Sequence, residues 1–144
     1  VKLALEFIKT HEHARLPCKN HANDTGYDVY SIENVCIPAR GSNLVPVGLQ
    51  FACIPAGYWV RVESRSGLGF KHGIMAHPGI IDNGYRGDAG IKLYNLTNND
   101  YTVNRGDRIA QFVLYPLASD VAIGFTEIAS ESDRGDKGFG SSGK

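Results

Sequence analysis

Arg134, Phe139, Gly140, Ser141 and Ser142 crowd into the last eleven residues of the chain, RGDKGFGSSGK at 134–144. Glycines let successive backbone N–H groups converge on one anion, and serine hydroxyls add donors. The arginine offers a planar fork of N–H groups that matches phosphate oxygens, and the phenylalanine offers a flat face to a base. The tail therefore carries groups that would grip a phosphorylated nucleotide. The same composition also describes a frayed linker, so the nucleotide reading requires a partner site elsewhere in the chain. Residues 138–144 read GFGSSGK and match the first seven positions of a Walker A loop. No apolar strand enters that stretch, so the strand–loop–helix context that gives the pattern its meaning is missing.

Four earlier blocks could supply the partner site. At 78–90 the chain reads PGIIDNGYRGDAG. Asn83-Gly84 is a strong hairpin signal, flanked by Ile80, Ile81 and Tyr85. A tight hairpin between Gly79 and Gly90 would expose backbone groups able to read a pyrimidine edge, with Asp82 beside the turn. The plainer alternative is an ordinary turn carboxylate and a strand aromatic. At 63–68, ESRSGL brings guanidinium, hydroxyl and amide donors together at Arg65, Ser66 and Gly67, which suits a di- or triphosphate or a helix cap. TGYDV at 25–29 opens a strand with Asp28 near its start and no cationic residue adjacent. A carboxylate there could hold Mg2+ through water or stand in solvent at a strand edge. Gln111, mid-strand in GDRIAQ at 106–111, is either a donor to a ligand or part of a polar face.

These residues need a scaffold, and the composition bounds it. The 144 residues predict one domain. Fifteen basic residues balance fifteen acidic ones, so no overall field draws the chain to nucleic acid or to an anionic membrane. Three cysteines, Cys18, Cys36 and Cys53, lack CxxC spacing, which argues against a disulfide framework and a zinc site and fits a reducing compartment. His11 and His13 read as a solvated face. No run of 18 apolar residues occurs and charges thread the first nine residues, so a soluble, intracellular protein of cytoplasm or nucleus (host cell if viral) is expected. Period-2 alternation marks strands over 2–9, 27–32, 34–37, 43–47, 49–54, 58–64, 90–96, 101–103, 108–115 and 121–126. Only 64–72 could hold a helix, and Gly67 and Gly69 keep it short. The pattern is all-β: a sandwich, jelly roll or barrel. Residues 1–126 form the domain, and 127–144 an arm with little to pack against itself, suited to lie across a neighbouring subunit.

Taken in order, TGYDVYS at 25–31, SRSGL at 64–68, GIIDNGYRGD at 79–88, RGDRIAQFV at 105–113 and RGDKGFGSSG at 134–143 resemble the five motifs of the homotrimeric dUTP pyrophosphatases, over nearly the whole chain. The resemblance implies a jelly roll (a distorted β-barrel) in a homotrimer whose sites draw on all three chains. It implies hydrolysis of dUTP to dUMP and pyrophosphate with Mg2+, keeping uracil out of DNA and supplying dUMP for thymidylate synthesis. By the match, Asp82 is the general base for the water that attacks the α-phosphorus, a role suited to a carboxylate within hydrogen-bond reach. Tyr85 lies against the deoxyribose and leaves no room for a 2′-hydroxyl. The backbone of Gly79, Ile80, Ile81, Asn83, Gly84 and Gly90 reads uracil. Arg65, Ser66, Gly67 and Gln111 hold phosphate oxygens, and Asp28 positions the metal through its waters. Phe139 stacks on uracil while Arg134, Gly140, Ser141 and Ser142 grip the γ-phosphate as the arm closes. Thr25, Asp88 and Lys137 depart from the usual pattern, none at a chemical position. A related dCTP deaminase would need a catalytic glutamate in the central motif, where Asp82 stands. A regulatory or scaffold protein of dUTPase shape is the rival from another class.

Overall fold

The structure, a computed structural model, describes residues 3–118, 120–138 and 140. In chain order the strands are β1 (Glu6–Lys9), β2 (Tyr27–Tyr30), β3 (Val35–Ile37), β4 (Ser42–Val45), β5 (Leu49–Cys53) and β6 (Tyr58–Glu63). Then come helix α1 (Ser66–His72) and β7 (Ile74–Ala76), β8 (Gly79–Ile81), β9 (Ile91–Asn95), β10 (Tyr101–Val103) and β11 (Arg108–Pro116). Every strand pairing is antiparallel. The sheets are β1–β5, β3–β10, the four-stranded β2–β11–β6–β8 and the three-stranded β4–β9–β7. Short sheets joined by crossovers wrap one core, the distorted barrel of the jelly-roll class.

Alternation decides which side chains fill that barrel. Along β6, Val60 and Val62 are buried while Trp59, Arg61 and Glu63 face outward. In β11, Phe112 is fully buried, tilted against Phe51 of β5 and stacked with Phe7 of β1 at centroid distances of 5.6 and 6.1 Å. Val29, Ile37, Ile74, Ile91 and Leu93 close the core from the remaining sheets. Packing of this kind makes the barrel a rigid frame for polar groups at its ends.

Eight of the expected strands form within a few residues of their anticipated limits, and 101–103 forms as expected. The first expected strand begins at Glu6 rather than residue 2. The segment 121–126 is not a strand, and Val121, Ile123 and Phe125 are exposed. Alternation there meets no partner edge among the described residues, and a lone strand cannot satisfy its backbone. Strands β7 and β8, three residues each, lie among Gly, His and Pro where no alternation could develop.

The expected Asn83-Gly84 hairpin is also corrected. Strand β8 pairs with β6, whereas β9 pairs with β4 and β7. Residues 82–85 form a turn closed by the Tyr85 N–H donating to the Asp82 carbonyl at 2.9 Å. Neither central residue has positive φ, so it is not the primed turn that a two-residue hairpin demands. Asn83 serves another purpose: its Nδ2 donates to the carbonyls of Pro55 and Tyr58 at 2.9 and 2.8 Å, tying the turn to the β5–β6 connection.

Candidate active site

Two polar centres stand out, and β6 separates them. At its C-terminal end the chain turns at Ser64. The Ser64 Oγ accepts the Ala76 N–H at 2.8 Å, and the Ser64 carbonyl accepts Gln111 Nε2 at 3.0 Å. β7 and β11 thus fix the corner that leads into Arg65, Ser66 and Gly67. Arg65 precedes α1 with extended backbone, and its Nε donates to Asp28 Oδ1 at 3.1 Å. The other Asp28 oxygen lies 3.6 Å from Arg108 Nη1, and only 13% of the Asp28 side chain is exposed. Ser66 and Gly67 are exposed, and the place a Gly67 Cβ would occupy is open.

Asp28 was expected to have no cationic neighbour; the structure gives it two. The cause lies in β11. Its register against β2 shifts between Arg108 and Ala110, and Ile109 and Ala110 are buried in succession. Such a bulge breaks the alternation, so Arg108 emerges on the same face as Gln111, which pairs with Asp28. Sequence reasoning missed Arg108 because an irregular residue leaves no trace in apolar periodicity. Gln111 is likewise less free than expected: its amide is spent on Ser64, and its side chain fills the place a Gly26 Cβ would need, 2.6 Å from Gln111 Cδ. Gly26 is required for that close approach. A cavity of about 240 Å³ opens over this centre, lined in part by Asp24, Asp28, Arg65, Ser66 and Gln111.

At the other end of β6 lies the turn with Asp82, Asn83, Gly84 and Tyr85. Gly79, Ile80 and Ile81 form β8 before it, and Gly90 precedes β9. Among the described residues the Asp82 carboxylate makes no hydrogen bond and no ion pair, and the residue is exposed. The Tyr85 hydroxyl donates to the Asp88 carbonyl at 2.8 Å, and its ring meets the edge of Phe51 at 5.9 Å.

The register fixes how far apart the centres are. Val60 pairs with Ile81, so Asp82 sits beside Trp59, six residues before Arg65. At the strand rise this is about 20 Å. Three cavities bordered by Arg65 are lined, among the described residues, without Asp82 or Tyr85. One chain therefore does not bring the two halves of the expected site together.

The arm is a third piece. Among the described residues, every hydrogen bond made by 120–138 stays within that segment, such as the Gly135 N–H to Ser132 Oγ at 3.0 Å and the Arg134 Nε to the Lys137 carbonyl. Arg134 is exposed in this turn, and Gly140 has φ of 90°. Phe139, Ser141 and Ser142 lie outside the described residues. His11 and His13 are exposed, as expected, with Arg105 Nη1 at 3.0 Å from His13 Nε2.

An all-β barrel with an exposed carboxylate at one end of a strand and a serine–arginine corner at the other carries groups suited to hydrolysis of a phosphorylated nucleotide. The dUTPase family model matches residues 12–143. The deoxyuridine 5′-triphosphate nucleotidohydrolase of Eremothecium gossypii is 42% identical over 132 residues, 92% of this chain and 86% of that one. A structure of the dUTPase of Staphylococcus bacteriophage 80alpha with dUpNHpp superposes with a TM-score of 0.87 at 30% identity, covering 98% of this chain and 99% of that one. A mutant dUTPase from phage phi11 of S. aureus, described with a structural Mg(II) ion, gives 0.78 at 27% identity over 88% and 99% of the two chains. The chain belongs to the dUTPase family, an Mg2+-using family of enzymes.

Proposed function

We propose that Asp82 is the general base with which this dUTPase hydrolyses dUTP to dUMP and pyrophosphate, at sites shared among three copies of the chain. The carrying observation is the exposed Asp82 carboxylate, without a partner among the described residues, on a turn that Asn83 pins to the barrel. A general base needs an accessible lone pair in a fixed place, and this turn provides both. Asp82 takes the proton of the water that attacks the α-phosphorus; Arg65, Ser66, Gly67 and Gln111 hold the phosphates, with Gln111 also bracing the corner through Ser64.

The gap of about 20 Å between Asp82 and Arg65 supports a shared site. Since a single triphosphate must touch both, the corner of one chain has to meet the Asp82 turn of another. The arm supports a third contribution, because its described hydrogen bonds do not reach its own barrel and Val121, Ile123, Phe125 and Ile128 stay exposed. The barrel's strands then end at Pro116, and the arm is 127–144 together with the exposed residues 121–126 ahead of it. Closed over dUTP, it stacks Phe139 on uracil and brings Arg134, Gly140, Ser141 and Ser142 to the γ-phosphate. The backbone of Gly79, Ile80, Ile81, Asn83, Gly84 and Gly90 reads uracil, and Tyr85 abuts the deoxyribose.

The donor set suits a hydrated Mg2+. Asp28 and Asp24 share one polar cavity, and Mg2+ takes one or two carboxylates, phosphate oxygens and its own waters. Two guanidinium neighbours disfavour direct contact between Asp28 and the ion, and leave Asp28 the water-mediated role. Bound there, the ion would neutralise phosphate charge and orient the triphosphate. Arg65 and Arg108 hold the Asp28 carboxylate in place for it. Free Cys18, Cys36 and Cys53 support a reducing, intracellular setting, and no described helix is long and apolar enough to cross a membrane.

The test is pyrophosphate release from dUTP, UTP, dTTP and dCTP with Mg2+. Turnover is expected with dUTP and not with the other three, and Asp82→Asn is expected to be nearly inactive. An Asp82→Asn enzyme as fast as the parent would remove the general base.

A further inference from the structure

We propose that Gly87 and Gln50 are positioning residues that clamp the Tyr85 ring, so that rejection of ribonucleotides depends on them as well as on Tyr85. The inference rests on the placement of Tyr85 against the deoxyribose given above.

A ring that excludes one hydroxyl must be held still, since an aromatic free to swing about χ1 yields to the larger sugar. The neighbourhood of Tyr85 provides the restraint. Residues 86–89 lie along the edge of β5: the Phe51 N–H donates to the Gly87 carbonyl at 3.0 Å, the Ala89 N–H to the Leu49 carbonyl at 2.9 Å, and Gln50 bridges Asp88. Gln50 Nε2 adds a bond of 2.8 Å to the Arg86 carbonyl, holding the segment one residue nearer Tyr85. This fixed backbone presents the Asp88 carbonyl that receives the Tyr85 hydroxyl at 2.8 Å.

The hydroxyl end of the ring then lies against Gly87. A Cβ at that position would stand 2.5 Å from Tyr85 Cζ and 2.8 Å from Cε1, far inside van der Waals contact. One of the two must move. The Gly87 backbone is bonded to β5, whereas the Tyr85 ring is 41% exposed and turns about a single bond. An added methyl group therefore evicts the ring rather than the strand. Fully buried Phe51 backs the remaining ring edge and blocks retreat into the core. Glycine at 87 is thus a requirement of close approach, and the outcome of filling it is a loss of sugar discrimination.

The experiment compares kcat/KM for dUTP and UTP in the parent, Tyr85→Ala, Gly87→Ala, Gln50→Ala and the Tyr85→Ala/Gly87→Ala double variant. The dUTP:UTP ratio should fall about tenfold or more in Gly87→Ala, with dUTP kcat largely kept, and several-fold in Gln50→Ala. The double variant should match Tyr85→Ala alone, because Gly87 acts only through the ring. If Tyr85→Ala keeps the parent ratio, the sugar-facing reading of Tyr85 fails. If Tyr85→Ala loses discrimination while Gly87→Ala and Gln50→Ala keep it, the clamp is wrong and that reading stands. Should Gly87→Ala not fold, Gln50→Ala decides: an unchanged ratio overturns the proposal.

Discussion

At the scale of single residues, the Asp82 carboxylate is separated from the group that fixes it. Asp82 is proposed to do the chemistry, and Asn83 holds the turn through the Pro55 and Tyr58 carbonyls. Asp82→Asn keeps the shape and removes the base, so kcat should fall about 10²- to 10⁴-fold while the affinity for dUpNHpp stays within a few-fold. Stopped-flow turnover and calorimetric titration check the two halves. Asn83→Ala acts the other way round: it takes the amide donor from the Tyr58 carbonyl and leaves the Pro55 carbonyl only the Tyr58 N–H, costing about 1–2 kcal/mol in urea unfolding, and lowers kcat by loosening Asp82. A variant as stable as the parent would show that the turn does not depend on Asn83. Tyr101 adds a pH effect. Burial, with a smaller push from Asp107, raises its phenol above the usual 10.0. A group whose folded pKa is raised contributes stability that is complete below its unfolded value and lost as pH climbs through the folded one. Tyr101→Phe should therefore flatten the decline in stability above about pH 10. An identical alkaline decline in both proteins would exclude Tyr101 as its source.

At the scale of elements, apolar alternation made most of the barrel legible. Segments such as 58–63, with Val60 and Val62 inward, announce both strand and facing from the sequence. What escaped was set by pairing rather than by pattern. β7 and β8 exist because β9 and β6 offer them edges, and 121–126 has the pattern without an edge. The bulge at Arg108 to Ala110 escaped for a related reason: one irregular residue moved Arg108 beside Asp28 and turned an expected solitary carboxylate into a doubly paired one. The Asn83-Gly84 signal marked a turn correctly and the wrong partner strand. The proposed site residues were readable as types and spacings, whereas the hydrogen bonds made by Ser64, Gln111 and Asn83 needed coordinates. The arm carries its own prediction. Since the described part of 127–144 adds no hydrogen bond to the barrel, removing the chain from Arg134 onward should leave the melting temperature and oligomeric state unchanged and lower kcat/KM for dUTP by two orders of magnitude or about that. Retained activity after truncation would show that the arm does not close over the substrate.

At the scale of the whole molecule, the separation along β6 decides what kind of active site is possible. Asp82 and Arg65 point to different ends of one strand, about 20 Å apart, and a barrel packed around Phe51 and Phe112 does not fold back to join them. A shared site makes a prediction that no single-chain site can imitate. Asp82→Asn and Arg65→Ala should each be nearly inactive alone. When the two are unfolded together and refolded at equal amounts, a mixed oligomer can place the intact Asp82 of one subunit against the intact corner of its neighbour. If the site takes one half from each of two chains, about one quarter of the sites in a random mixture are complete, so the mixture should regain that share of the parent activity. Native mass spectrometry establishes that subunits have mixed. Mixed oligomers with no more activity than the separate variants would put Asp82 and Arg65 on the same chain's site, and the strand between them makes that arrangement the harder one to build.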